Sequence, residues 1–69
     1  MKIEIGDKFL LRSANKLPYI IKIANASDYR PPEMRYAIDI FDGYGNPMNI
    51  DFEFVGDEFF TKDSIERID

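Results

Sequence analysis

Sixty-nine residues make one small domain, and a chain this short buries only about 60% of its unfolded surface, so marginal stability is expected. Cysteine and histidine are absent, which excludes a disulfide framework, a Cys/His zinc site, a thiolate nucleophile and a general-base imidazole. The net charge of −4 is unevenly spread, with residues 1–38 carrying +3 and residues 39–69 carrying −7.

Residues 2–5 alternate as Lys-Ile-Glu-Ile and are read as a short strand ahead of a Gly6-Asp7 turn. Lys2, Glu4, Asp7 and Lys8 interrupt any apolar run, so neither a signal peptide nor a membrane span is expected, and the protein is expected to be cytoplasmic. Residues 8–13 read as a strand with Phe9 and Leu11 on one side and Leu10 and Arg12 on the other. A loop follows to Pro18, which cannot donate to a ladder and stands where a strand would begin. Residues 19–24 are β-branched and apolar, a second strand with Ile21 and Ile23 expected inward and Lys22 outward. Residues 25–34 have no periodicity, and the pair Pro31-Pro32 predicts stiff, extended backbone rather than helix.

Residues 35–55 carry the clearest pattern. Tyr36, Ile38 and Ile40 alternate with polar or small residues before a turn, and Met48, Ile50, Phe52 and Phe54 alternate after it. A β-hairpin is predicted, with Gly43-Tyr44-Gly45 as a three-residue loop and Gly45 in the left-handed region. Matching apolar faces sets Ile40 opposite Met48, Ile38 opposite Ile50, Tyr36 opposite Phe52 and Arg35 opposite Glu53. After Gly56-Asp57 the chain resumes as strand at residues 58–60, and residues 61–64 are read as one helical or 3₁₀ turn with Thr61 as N-cap. Ile65 and Ile68 return to the core, either as a last short strand or as the end of that turn. Phe9, Phe52, Phe54, Phe59 and Phe60 are expected to supply most of the core.

About five short strands and one helical turn near the C-terminus give an all-β fold, a small partly open barrel. The opening Ile5-Gly6-Asp7-Lys8-Phe9 resembles the start of SH3-like barrels of the bacterial and phage type. The ending Phe60-Thr61-Lys62-Asp63-Ser64-Ile65 resembles the 3₁₀ turn that leads such barrels into their closing strand. The resemblance implies an SH3-like fold. It implies no proline-ligand function, because the acidic loop and the Trp of signalling SH3 domains have no match, and fold alone does not carry function.

Catalytic signatures are missing. Ser13, Ser27 and Ser64 stand outside any Gly-x-Ser-x-Gly setting, and Gly43-Tyr44-Gly45 lacks the lysine and helix of a phosphate loop. A chain of this size is expected to leave little room for a pocket of the usual ~300 Å³ or more. Asp42 and Asn46 do not meet calcium-loop spacing, so no metal and no cofactor are expected. The expected function is therefore a non-enzymatic protein-interaction module, accessory or regulatory, of a size that suits a phage or mobile element. The candidate partner-binding residues are Tyr29 and Arg30 on the stiff loop, Tyr44 at the hairpin tip, and the acidic hairpin face of Asp39, Asp51 and Glu53. Two alternatives stand beside it: a nucleic-acid-associated SH3-like barrel, disfavoured by the negative charge, and a structural homo-oligomer or homodimer formed through exposed strand edges.

Overall fold

The computed structural model describes residues 2–68. Five strands form one antiparallel sheet: β1 (Lys8–Leu11), β2 (Tyr19–Ala26), β3 (Tyr36–Phe41), β4 (Glu53–Val55) and β5 (Ile65–Ile68). Their order is β4-β3-β2-β1-β5. The first four strands follow one another as a meander, and β5 returns to the far side of β1, so β4 and β5 are the two edges. No α-helix occurs among the described residues, and two 3₁₀ turns, Pro32–Met34 and Asp57–Thr61, accompany the sheet. The fold is all-β, and its open five-stranded sheet with two unjoined edges fits a small, partly open barrel.

Alternation along the three middle strands builds the core. Phe9 faces Ile21, Ile21 faces Ile40, and Ile23 faces Ile38 across the ladders. Phe9, Ile21, Ile23 and Ile38 are fully buried, as expected for Ile21 and Ile23. Phe60, from the second 3₁₀ turn, closes the open side of the sheet. Its ring centroid lies 4.5 Å from Phe9 and 5.6 Å, edge-on, from Tyr36. Burying one such side chain contributes about 1.5–3 kcal/mol, so the turn is held mainly by this plug. On β5, Arg67 stands opposite Phe9 and lays its guanidinium 5.1 Å from that ring. It also donates to the Lys2 carbonyl and to Asp7 Oδ2, the latter at 2.6 Å, tying the closing strand to the N-terminal segment.

Several expectations need correction. Residues 2–5 form no strand; their region meets β2 through two backbone bonds, Gly6 N to the Ile23 carbonyl and Ile23 N to the Asp7 carbonyl, both 2.9 Å. Next to these bonds the pairing of β2 with β3 shifts register between Ile23 and Asn25. Pro31 is extended as expected, but Pro32 opens the first 3₁₀ turn, because a proline at a first helical position lacks only an N–H that would have no partner there. Residues 58–60 are not strand. The 3₁₀ turn starts earlier, at Asp57, whose carboxylate is fixed by the Tyr36 hydroxyl (2.6 Å) and Arg35 Nη1 (3.1 Å). Thr61 ends that turn rather than capping the next one, and its hydroxyl donates to the Glu58 carbonyl. Residues 65–68 are a strand.

The hairpin follows the expected register only near its loop. Asp42 N donates to the Asn46 carbonyl, Gly45 has φ +88°, and Met48 N donates to the Ile40 carbonyl at 2.8 Å. Beyond Met48 the pairing moves by three residues: Ile38 faces Glu53 and Tyr36 faces Val55. The Arg35–Glu53 pair does not form. Arg35 turns to Asp57 instead, with its Nε 3.6 Å from Asp28 Oδ1, within ion-pair range but too long for a hydrogen bond. The cause of the shift is Asn49. Its Oδ1 accepts from Ile40 N (2.9 Å), and its Nδ2 donates to the Ile38 carbonyl (3.2 Å) and the Asp51 carbonyl (2.9 Å). One amide side chain thus takes the place of the returning strand's backbone, and residues 50–52 loop outward. Phe52 and Phe54, expected in the core, are exposed in consequence.

Candidate functional site

The register shift leaves an apolar edge. Met48 (53% exposed), Ile50 (102%), Phe52 (54%) and Phe54 (42%) fall within seven residues that lead into the edge strand β4. Burial removes about 25 cal/mol per Å² of apolar surface from water, so leaving four large side chains outside forgoes a sizeable gain. Exposed apolar patches of this kind mark interaction sites in soluble proteins. Asp51 and Glu53 alternate with these side chains along the same segment.

Backbone direction at this edge follows from the Asn49 contacts. Ile40 and Ile38 both turn their peptide groups toward the β4 side, so Ile38–Glu53 is a hydrogen-bonded pair. Alternation then points the N–H and C=O of Phe54 away from β3, and among the described residues no strand lies beyond β4 to receive them. The Arg30 guanidinium stands 5.1 Å over the Phe54 ring.

Next to this edge a groove of about 590 Å³ opens between the two 3₁₀ turns. Pro32, Phe54, Val55 and Phe59 supply its apolar surface, and Glu33 and Glu58 stand at its rim. Gly56 permits the close approach of the turns: a Cβ there would collide with the Pro32 carbonyl oxygen and lie 2.8 Å from Glu33 Cα. A second, more polar cleft of about 680 Å³ lies at the opposite pole, where Leu17 and Tyr19 meet Gly43 and Tyr44. Both exceed the room expected of so short a chain, because they form between loops at the rims of the sheet rather than inside it.

The structure separates the residues singled out from sequence. Tyr29 is fully exposed beside Arg30 at one end of β3, whereas Tyr44 is exposed in the loop beyond the other end. A strand of this length places roughly 16 Å between its ends, so the two tyrosines do not share a surface. Arg30 is committed to the fold: it donates to the carbonyls of Met34 (2.7 Å) and Arg35 (2.8 Å) and to Asn25 Oδ1 (3.2 Å). Asp39 faces Lys22 on β2, away from Asp51 and Glu53. Only Asp51 and Glu53 lie together, on the apolar edge. Met48, Ile50, Phe52 and Phe54 were missed as surface residues because their alternation reads as an inward face. The available signal was Asn49, a strand-poor residue directly after Pro47 and Met48 whose side chain can satisfy backbone groups.

Among the described residues three groups titrate away from their ordinary values. The Asn46 and Tyr44 backbone N–H groups, both 2.9 Å from Asp42 Oδ1, hold the Asp42 carboxyl below the usual aspartate range. The Glu4 N–H and then Arg67 do the same for Asp7. Burial, and then the neighbouring Asp57 carboxylate, raise the Tyr36 hydroxyl. All three serve turns or packing and none belongs to the apolar edge. Among the described residues no cluster of three or more acidic side chains is placed to hold a metal ion, and no helix is long and apolar enough to cross a membrane. No protein-family model matches the chain, and no curated protein or solved structure does.

Proposed function

We propose that this chain is a non-enzymatic protein-interaction module that docks a protein partner on the edge formed by residues 48–55. The observation that carries this reading is the exposure of Met48, Ile50, Phe52 and Phe54 beside an edge strand whose outer side has no neighbouring strand among the described residues. Asp51 and Glu53 belong to this docking segment, and Tyr29 lies toward the same end of β3. The barrel is read as SH3-like, supported by the turn at Gly6 before β1 and the 3₁₀ turn that precedes β5. Nucleic-acid association is the weaker reading, because Arg12, Arg35 and Arg67 are held in ion pairs with Glu66, Asp57 and Asp7.

The test is a nuclease-treated bacterial lysate passed over the immobilised protein and over an Ile50→Ser/Phe52→Ser variant. One protein enriched on the first and lost on the second is the expected result. Recovery of the same proteins on both would overturn the reading. Fluorescence anisotropy with short DNA and RNA at low salt supplies the control, and a rise on either nucleic acid would transfer the assignment to a nucleic-acid-binding barrel.

A further inference from the structure

The docking edge also specifies the chemistry of what covers it; this inference rests on the interaction reading above. Edge strands are ordinarily protected by lysine, by proline or by a covering loop. Residues 48–55 contain neither Lys nor Pro, and the guard residues are Asp51 and Glu53. Neither carboxylate takes part in an ion pair among the described residues, and neither do Glu33 and Glu58 at the groove. Two cations lie nearby, Arg30 over the Phe54 ring and Lys62 over the Phe59 ring, each occupied by an aromatic face. The edge is therefore apolar, open along its backbone and bordered by four carboxylates without partners.

A second copy of the chain fits this edge poorly. Pairing β4 with itself brings the Asp51–Glu53 segment of each copy against the same acids, and like charges across a strand pair are destabilising. The complementary occupant carries positive charge. Its backbone must also be extended, since the Phe54 N–H and C=O offer the hydrogen bonds of a further strand.

We propose that a partner segment of alternating apolar and Lys or Arg residues adds to β4 as a sixth strand. Its cations face Asp51 and Glu53, its apolar side chains cover Ile50 and Phe52, and one of them enters the groove beside Phe54 and Phe59. Main-chain hydrogen bonds supply affinity and the carboxylates supply selection among extended segments.

The experiment uses the full chain and a fluorescein-labelled peptide of about ten residues alternating Val and Lys, long enough to pair along the edge. Two control peptides replace Lys by Glu, or N-methylate every second backbone amide. Anisotropy reads affinity, and amide chemical shifts read location. Expected are binding of the Val/Lys peptide with shifts confined to residues around 50–58, and at least about tenfold weaker binding of each control, a difference of about 1.4 kcal/mol. In an Asp51→Lys/Glu53→Lys variant the preference should pass to the Val/Glu peptide. Both positions are exposed, so the variant should fold, as its circular dichroism would show. An Asp51→Asn/Glu53→Gln variant, losing selectivity between the Lys and Glu peptides, is the milder second measure.

Failure of the Val/Lys peptide to bind, equal binding of the Glu peptide, or indifference to N-methylation would overturn the proposal. A dimer in light scattering that disappears in Phe52→Ser would also overturn it, in favour of a second copy. If the peptide fails while the lysate protein is still lost on Ile50→Ser/Phe52→Ser, the basic strand falls and the interaction module stands. If that protein is retained on the variant, both fall.

Discussion

Asn49 decides how the hairpin closes, and it does so with a side chain. Its amide satisfies the Ile40 N–H and the Ile38 carbonyl, both partly buried. Asn49→Ala removes both partners at once and is expected to lower stability by about 1–3 kcal/mol in chemical denaturation, the cost of stranding a buried polar group. An unchanged midpoint would mean that water replaces the side chain. The Asp42 and Asp7 carboxylates make a separate contribution that depends on pH. Both have folded-state pKa values depressed below the ordinary aspartate value of 3.8. Their stabilisation is therefore complete above that value and is lost as pH falls through the lower folded values. Tyr36 has the opposite sign: its pKa is raised from 10.0, so its contribution holds below pH 10 and fades as pH rises through the higher folded value. Urea midpoints measured across the acid range should fall below about pH 4 for wild type and fall less for Asp42→Asn, whose side chain no longer titrates.

At the scale of elements, the second 3₁₀ turn and β4 exchange the roles that their phenylalanines suggest. Phe60 plugs the core from a turn, whereas Phe52 lies outside next to a strand. Phe60→Ala is expected to cost about 3–5 kcal/mol, and Phe52→Ala less than about 0.5 kcal/mol, read from thermal or urea unfolding. Equal costs would mean that Phe52 is buried in solution. This contrast also marks where the sequence stops being legible. Period-two alternation identified β1, β2 and β3 and placed Ile21 and Ile23 inward, because those residues have ladders on both sides. The same rule failed from residue 49 onward. Alternation states which side chains share a face but not whether anything covers that face, and here a side chain 9 positions from Ile40 had replaced the ladder. Similarly, Glu58-Phe59-Phe60 reads as strand until Tyr36 and Arg35 fix Asp57, and those are contacts across 21 and 22 residues.

For the whole molecule, the charge asymmetry of the sequence survives folding in one place. Asp51, Glu53, Asp57 and Glu58 from the acidic half lie along the β4 edge and its groove, while Arg12 at the start of the β1–β2 loop, Arg35 just before β3 and Arg67 on β5 are held in ion pairs. The all-β class and the two edges were accessible from composition and turn spacing. The position of the exposed apolar edge was not, because it depends on the register. If the carboxylates guard the open strand, neutralising them without changing shape should make the protein self-associate. Asp51→Asn/Glu53→Gln is expected to raise the average mass in light scattering at neutral pH, and a monodisperse monomer would show that something other than charge protects the edge.

The displaced pairing also stores spare chain. From the Phe41–Pro47 bridge to the Ile38–Glu53 pair, β3 advances three residues while the returning segment uses six. That slack is the length of residues 50–52, the part that loops out. Excising those three residues should let Glu53 face Ile38 directly in the register that begins at the loop, with Asn49 set free. The shortened protein is expected to fold, to exchange its Ile40 amide hydrogen more slowly, and to lose Ile50 and Phe52 together with any partner they hold. Lengthening or shortening one hairpin arm thus adds or removes the exposed apolar edge without touching the core.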